Sequence, residues 1–273
     1  MDQIIAEIKK IPPVTRFISG SSLAVTGATI ANIISPYSIL FAKELVFKKF
    51  EIWRLYTSFF YGGSGLMYIF EFVMLYRTTH ELESKSYFLR SADLAWQLLM
   101  ASVFIVRLLA SNSQAATWPL SPNLFTRPFL ICMLYLNSSL APPGAMTSIM
   151  GLITVPVTYF PYFIIAIDFL VGGPRFAAQS VAGAAVGHLW WWSVWGGRLG
   201  SQGIWAPYAS APQWMRNFIG ERNPDQPPAA GGTAAGLARG GVHVTAPRRA
   251  ATSGGSSTTT GYNWGSGHRL GES

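Results

Sequence analysis

Three ionisable side chains interrupt long apolar runs: Glu71, Arg107 and Asp168. In hydrocarbon a charge is costly, so each must face a bundle interior, a wet cavity or the membrane–water interface. Arg107, near the end of its run, can also snorkel toward water. Glu71 and Asp168 lie well inside theirs and mark a candidate polar groove, suited to passing hydrophilic chain or a small solute. Metal chemistry is weakly signalled. His80-Glu81-Leu82-Glu83-Ser84 begins like a zinc-protease helix, but Ser84 stands where the second histidine ligand is needed. The lone cysteine, Cys132, provides neither a disulfide framework nor a thiol cluster. No phosphate loop or dinucleotide fingerprint occurs, so the sequence calls for no cofactor and no metal. A binding chemistry is written at the end of the chain. There, Trp264-Gly265-Ser266-Gly267-His268-Arg269-Leu270-Gly271 sets two large apolar anchors and a basic residue among alternating glycines.

The elements that must position these groups follow from composition. Half the residues are apolar (50%) and only 12% are charged, yet the last quarter of the chain is polar. That split predicts a membrane-embedded body with a soluble tail. Apolar stretches recur at about the 17–25 residues that span a bilayer. Six are expected: Phe17 to Ile34, Leu66 to Tyr76, Leu94 to Ala110, a weak one centred on Phe129 to Leu136, Ile149 to Val171 bent by Pro156 and Pro161, and Phe176 to Trp195. Between the first two, residues 37–60 interleave aromatics with lysines and glutamates and read as an interfacial segment. Gly172-Gly173-Pro174 reads as a tight turn between the last two spans.

Six spans put both ends on one side, and the basic residues favour the cytosol. Lys9, Lys10, Arg16, Arg77, Lys85, Arg90, Arg198, Arg216 and Arg222 would lie there, against Lys43, Lys48, Lys49, Arg54, Arg127 and Arg175 opposite. Losing the weak fourth span would flip this parity. The formal net charge of +8 is scattered over span ends, which fits membrane orientation and not nucleic acid. The N-terminus does not read as a cleaved signal, because Lys9 and Lys10 precede Pro12-Pro13 and no small-residue cleavage site follows the first apolar stretch. The expected organisation is therefore a cytosolic segment 1–16, a membrane domain 17–196, a juxtamembrane segment 197–220 and a disordered tail 221–273 with its motif at 264–271.

With the spans in this order the chain resembles the Derlin family, rhomboid-like pseudoproteases of the endoplasmic reticulum that act in ER-associated degradation. Three signatures carry the resemblance. Trp53-Arg54 closes the first lumenal loop, where the family has a Trp-Arg pair. Gly183-Ala184-Ala185-Val186-Gly187-His188 matches its GxxxG with a following histidine, and residues 264–271 look like the SHP box. The resemblance implies an all-α, six-transmembrane rhomboid-like bundle that is multi-pass in the ER membrane. Trp53, Arg54, Gly183 and Gly187 would be structural. Trp264, Gly265, Gly267, Arg269, Leu270 and Gly271 would bind a hexameric AAA+ ATPase of the valosin-containing protein type. An ER ubiquitin ligase complex, misfolded protein substrates, the lipid bilayer and a second copy of the chain are the other implied partners.

Proteolysis is the alternative that the same resemblance raises. Active rhomboids carry GxSG at the start of the fourth span and a histidine in the sixth. Here the literal match, Gly62-Gly63-Ser64-Gly65, precedes the second span, and the fourth-span region has only Ser138-Ser139 near its far end. The sixth-span position three residues before the first glycine is Ser180, and His188 lies about two turns further on. A nucleophile and its base need contact at about 3 Å, so no catalytic residue is expected. A transporter using Glu71 and Asp168 is the third reading.

Overall fold

A computed structural model describes residues 6–8, 10–111, 124–149, 153–197 and 203–221. The helices are α1 (Pro13–Ile30), three short ones, α2 (Pro36–Ile39), α3 (Lys43–Lys48) and α4 (Trp53–Phe60), then α5 (Leu66–Glu81) and α6 (Ser91–Ser111). After them come α7 (Thr126–Leu140), a hairpin of β1 (Met146–Ile149) and β2 (Ile153–Pro156), α8 (Phe160–Trp195) and α9 (Gln213–Ile219). A π-turn, Leu82–Ser86, continues α5. Gly173, at φ 73° and ψ −172°, breaks α8 into limbs 160–172 and 174–195. Only glycine adopts that geometry readily, and Pro174 then opens the second limb.

The central helix is α7, the span weakest by sequence. Every residue from Thr126 to Leu134 is buried, and both limbs of α8 pack against it. A helix buried all round owes its place to packing and not to a lipid-facing stripe, which is why its hydropathy signal is faint. The outer helices show the opposite polarity from a water-soluble bundle. On α1, Thr15, Ser19, Ser22, Thr26 and Thr29 repeat at alternating steps of four and three and point inward, while Phe17, Leu23 and Ile30 point outward. Small residues inside allow close helix approach, and large apolar ones outside suit lipid. Leu66, Ile69 and Val73 on α5, Val103 on α6, and Leu170 and Val171 on α8 extend this exposed apolar belt.

Among the described residues, two helices are long and apolar enough to cross a membrane, Ser91–Leu109 and Val157–Trp195. The 15-residue α7 is shorter than the roughly 20 residues a spanning helix needs, whereas α5 reaches that length only with its π-turn.

The structure departs from the sequence expectations in three places. Strands β1 and β2 pair antiparallel in the register Met146↔Pro156 to Ile149↔Ile153, so the chain is mostly helical and not all-α. Ile153, Thr154 and Val155 are β-branched, and a short apolar run of this kind reads equally as strand or buried helix. The helix at the expected fifth span therefore starts at Phe160 instead of Ile149. Pro156 ends a strand, and Pro161 sits in the first helical turn, where its missing N–H costs nothing and produces no bend. The helix at the expected first span starts earlier, at Pro13, and stops at Ile30, because Asn32 takes a left-handed φ of 56° and its N–H donates to the Thr29 carbonyl. The segment 37–60 is folded into α2, α3 and α4, with Phe41 and Phe59 packed on Phe125 and with Phe50, Ile52 and Trp53 exposed.

Candidate functional site

Arg127, in the first turn of α7, joins the two carboxylates singled out by sequence. Its Nη1 donates to Glu71 Oε1 on α5 at 3.1 Å, and its Nε donates to Asp168 Oδ2 on the first limb of α8 at 3.0 Å. Nη2 donates to Asp168 Oδ1, completing a two-pronged fork. Ser180, on the second limb, donates its hydroxyl to Asp168 Oδ2. The Phe176 ring lies 5.4 Å from the guanidinium carbon, in cation–π range. One guanidinium thus ties α5, α7 and both limbs of α8 together.

Asp168 and Ser180 are 0% exposed, Arg127 7% and Glu71 8%. The polar groove expected at Glu71 and Asp168 is accordingly a closed ion network. Arg127, expected in a lumenal loop, is its hub. Buried carboxylates in an apolar bundle require a cation within reach, and that requirement was the available signal. Sequence alone left the choice of cation open, since Arg127 stands 41 residues from Asp168 and 56 from Glu71.

The two glycines of the GxxxG lie where α8 crosses α7. A Cβ on Gly183 would collide with the Pro128 carbonyl oxygen and sit 2.7 Å from Pro128 Cα. One on Gly187 would lie 2.8 Å from the Cys132 carbonyl oxygen and 3.0 Å from Tyr135 Cβ. Backbone-to-backbone approach of this kind excludes any side chain. It also sets the height of Arg127, which neighbours Pro128, against Asp168.

Arg54, in α4, donates through Nη1 to the carbonyls of Tyr37 at 2.7 Å and Leu40 at 3.1 Å, and pairs with Glu51. Trp53 beside it is 57% exposed, on the outer surface of the loop. The arginine gathers the loose end of α2 onto α4, using the fixed planar fork that lysine lacks.

Two further carboxylates, Glu83 and Asp93, act near helix ends, joined by Glu221. Glu83, in the π-turn, accepts the N–H of Val14 at 3.0 Å, the N–H of Thr15 at 2.7 Å and the Thr15 hydroxyl at 2.7 Å. It caps α1, which has no capping side chain of its own because Pro12 precedes it. Asp93, in the first turn of α6, accepts the Ala211 N–H at 2.8 Å and Arg216 Nη2 at 2.9 Å, while Glu221 accepts the Ala92 N–H at 2.8 Å. The segment 203–221 is thereby strapped across the start of α6. Both carboxylates belong to polar stretches of sequence, which mark them only as loop residues.

Three of the residues considered for catalysis, Ser180, Ser138 and His188, have other partners. Ser180 is committed to Asp168, Ser138 donates to the Thr158 carbonyl at 3.1 Å, and His188 Nδ1 shares a 2.7 Å hydrogen bond with the Tyr135 hydroxyl. Ser64 lies in the turn before α5, between Gly63 and Gly65, both at positive φ. In the histidine–glutamate stretch, Glu81 pairs with Arg77 and Lys85, and Glu83 caps α1. Trp264, Gly265, Gly267, Arg269, Leu270 and Gly271 lie outside the described residues, as does the tail 222–273.

An inside-out α1, an apolar outer belt and a closed ionic core define a helical membrane protein. The chain belongs to the Der1-like family, whose pattern it matches over residues 11–202. It is 28% identical to Derlin-1 of Arabidopsis thaliana over 210 residues, 77% of this chain and 74% of that one. To Derlin-1.1 of Zea mays it is 26% identical over 240 residues, 85% and 94% of the two chains. To Derlin-1 of Homo sapiens it is 26% identical over 275 residues, 97% and 96% of the two.

Proposed function

We propose that this protein is a non-enzymatic component of ER-associated degradation, which helps misfolded proteins leave the ER membrane and brings the AAA+ ATPase to them through residues 264–271. In this reading it crosses the ER membrane six times, with α1, α5, α6, α7 and the two limbs of α8 as the spans and both termini in the cytosol. It works beside a ubiquitin ligase complex.

The observation that carries the reading is the shortness of two of these helices. At 1.5 Å per residue, the 15-residue α7 rises about 23 Å and limb 160–172 about 20 Å. A hydrocarbon core is about 30 Å thick, and a bilayer meets short helices by thinning. Thinner hydrocarbon lowers the cost of drawing polar backbone through it, where each unsatisfied group costs several kcal/mol. The commitment of Ser180 to Asp168 and of His188 to Tyr135 supports the absence of a protease mechanism.

The test is the decay of a misfolded ER substrate in cells that depend on this chain. Ser64→Ala and a joint Ser138→Ala/Ser139→Ala change are expected to leave decay at the wild-type rate, whereas Trp264→Ala/Leu270→Ala stabilises the substrate. Loss of function in a serine variant that still folds would point to a hydrolase. Normal decay with the altered tail would point to a transporter or another role.

A further inference from the structure

Away from the ion network, a cleft of about 1290 Å³ opens between α1, α4, α6 and α9. Phe17, Tyr56, Leu99, Val103, Trp214 and Phe218 form much of its wall. Phe17, Val103, Trp214 and Phe218 are 59%, 58%, 61% and 87% exposed, so the cleft is open along its outer side. Two cations border this apolar surface. Arg16 stands in the first turn of α1, at the end where α9 packs, and Arg107 stands near the far end of α6. Both are exposed, and among the described residues neither has a carboxylate partner. From Ala95 to Arg107 the lining of α6 rises about 18 Å, close to the roughly 15 Å depth of one leaflet of hydrocarbon.

We propose that this cleft is a phospholipid site. The phosphate pairs with Arg16, and the acyl chains lie along Leu99 and Val103 toward Arg107. Charge selects this occupant over the others that apolar walls would accept. Apolar walls beside Arg16, which has no carboxylate partner among the described residues, fit an amphiphile with an anionic head, and a guanidinium matches phosphate in a planar two-bond contact. The lipid also bears on the tail. Trp214 and Phe218 belong to the strap that Asp93 and Glu221 fasten to α6, so an occupied cleft holds the root of the tail against the membrane surface.

The proposal rests on the chain being embedded in membrane, and resistance of the membrane-bound chain to alkaline carbonate tests that separately. For the cleft itself, the full-length protein in mild detergent is given dioleoylphosphatidylcholine or dioleoylglycerol, which shares its chains but lacks phosphate, and retained lipid is counted by native mass spectrometry. The wild-type chain is expected to retain the phospholipid about tenfold better than the diglyceride, the scale of one charge-assisted contact. Arg16→Gln should lose about that factor, and Val103→Trp should lose binding by filling the cleft with both arginines in place. Both positions are exposed, so folding is undisturbed, and an unshifted melting curve verifies it. Equal retention of the two lipids, or wild-type retention by either variant, overturns the proposal. A dimer that Val103→Trp dissolves, with no lipid bound to the wild-type chain, gives the cleft to a second copy and overturns it equally. A carbonate-resistant chain that fails the lipid arms refutes the cleft alone.

Discussion

Removing Arg127 or Asp168 should damage this protein far more than removing Glu71. Arg127→Ala deletes all three guanidinium hydrogen bonds and leaves Glu71 and Asp168 facing each other with no cation. Breaking a buried pair by removing one partner costs about 3–5 kcal/mol, because the survivor keeps its desolvation penalty. Two survivors put Arg127→Ala at the upper end of that range. Glu71→Gln is the informative contrast. With both acids ionised the network carries two negative charges against one positive, so an amide at Glu71 removes the surplus charge and can still accept from Nη1. Its cost should be about 1 kcal/mol, that of one ordinary hydrogen bond. Asp168→Asn destroys the fork and half-strands both Arg127 and Ser180, and belongs with Arg127→Ala. For a domain of this size 1 kcal/mol shifts the melting temperature by about 2–4 °C. Thermal unfolding of purified protein in detergent should then fall by roughly 10 °C or more for Arg127→Ala and Asp168→Asn, and by less than about 4 °C for Glu71→Gln. If all three variants melt together, the carboxylates are independent and Arg127 is not the hub.

Gly183→Ala should lower detergent stability by more than Gly187→Ala, since the Cβ of the first meets Pro128 backbone and that of the second reaches Tyr135 side chain as well as the Cys132 carbonyl; leucine at either should prevent a folded monomeric peak in size exclusion. Arg54→Ala loses both loop carbonyls and Glu51, a cost of about 2–3 kcal/mol, and Arg54→Lys should recover less than half of it in the same melting assay, because one ammonium cannot span that arc. Glu83→Ala frees three donors at the start of α1 and should cost about 2 kcal/mol or more, with faster amide exchange at Val14 and Thr15 as its local signature.

The long helices were readable because their outer faces are apolar, and the break at Gly172-Gly173-Pro174 because glycine and proline punctuate a helix on their own. Glu71 and Asp168 stood out as carboxylates within apolar runs. Arg127 did not, since it borders a helix whose packing on all sides erases the usual stripe. The stretch Ile149 to Pro156 was ambiguous in principle, as apolar composition without period does not separate a strand from a buried helix. Gly183 and Gly187 announced a close approach but not its partner, which only the crossing with Pro128 and Cys132 identifies. Asp93 and Glu83 were illegible as caps, because the helix ends they serve lie 118 and 68 residues away.

In the proposed role, a lipid-embedded Der1-like body brings an ATPase to its substrates through its tail. Affinity purification of the full chain from detergent-solubilised ER membranes, beside a chain cut after Gly261, decides whether it does. The full chain is expected to bring down the hexameric ATPase together with ubiquitinated proteins, and the shortened chain to keep its membrane partners while losing the ATPase. Recovery of the ATPase in equal amount with both chains would contradict this role.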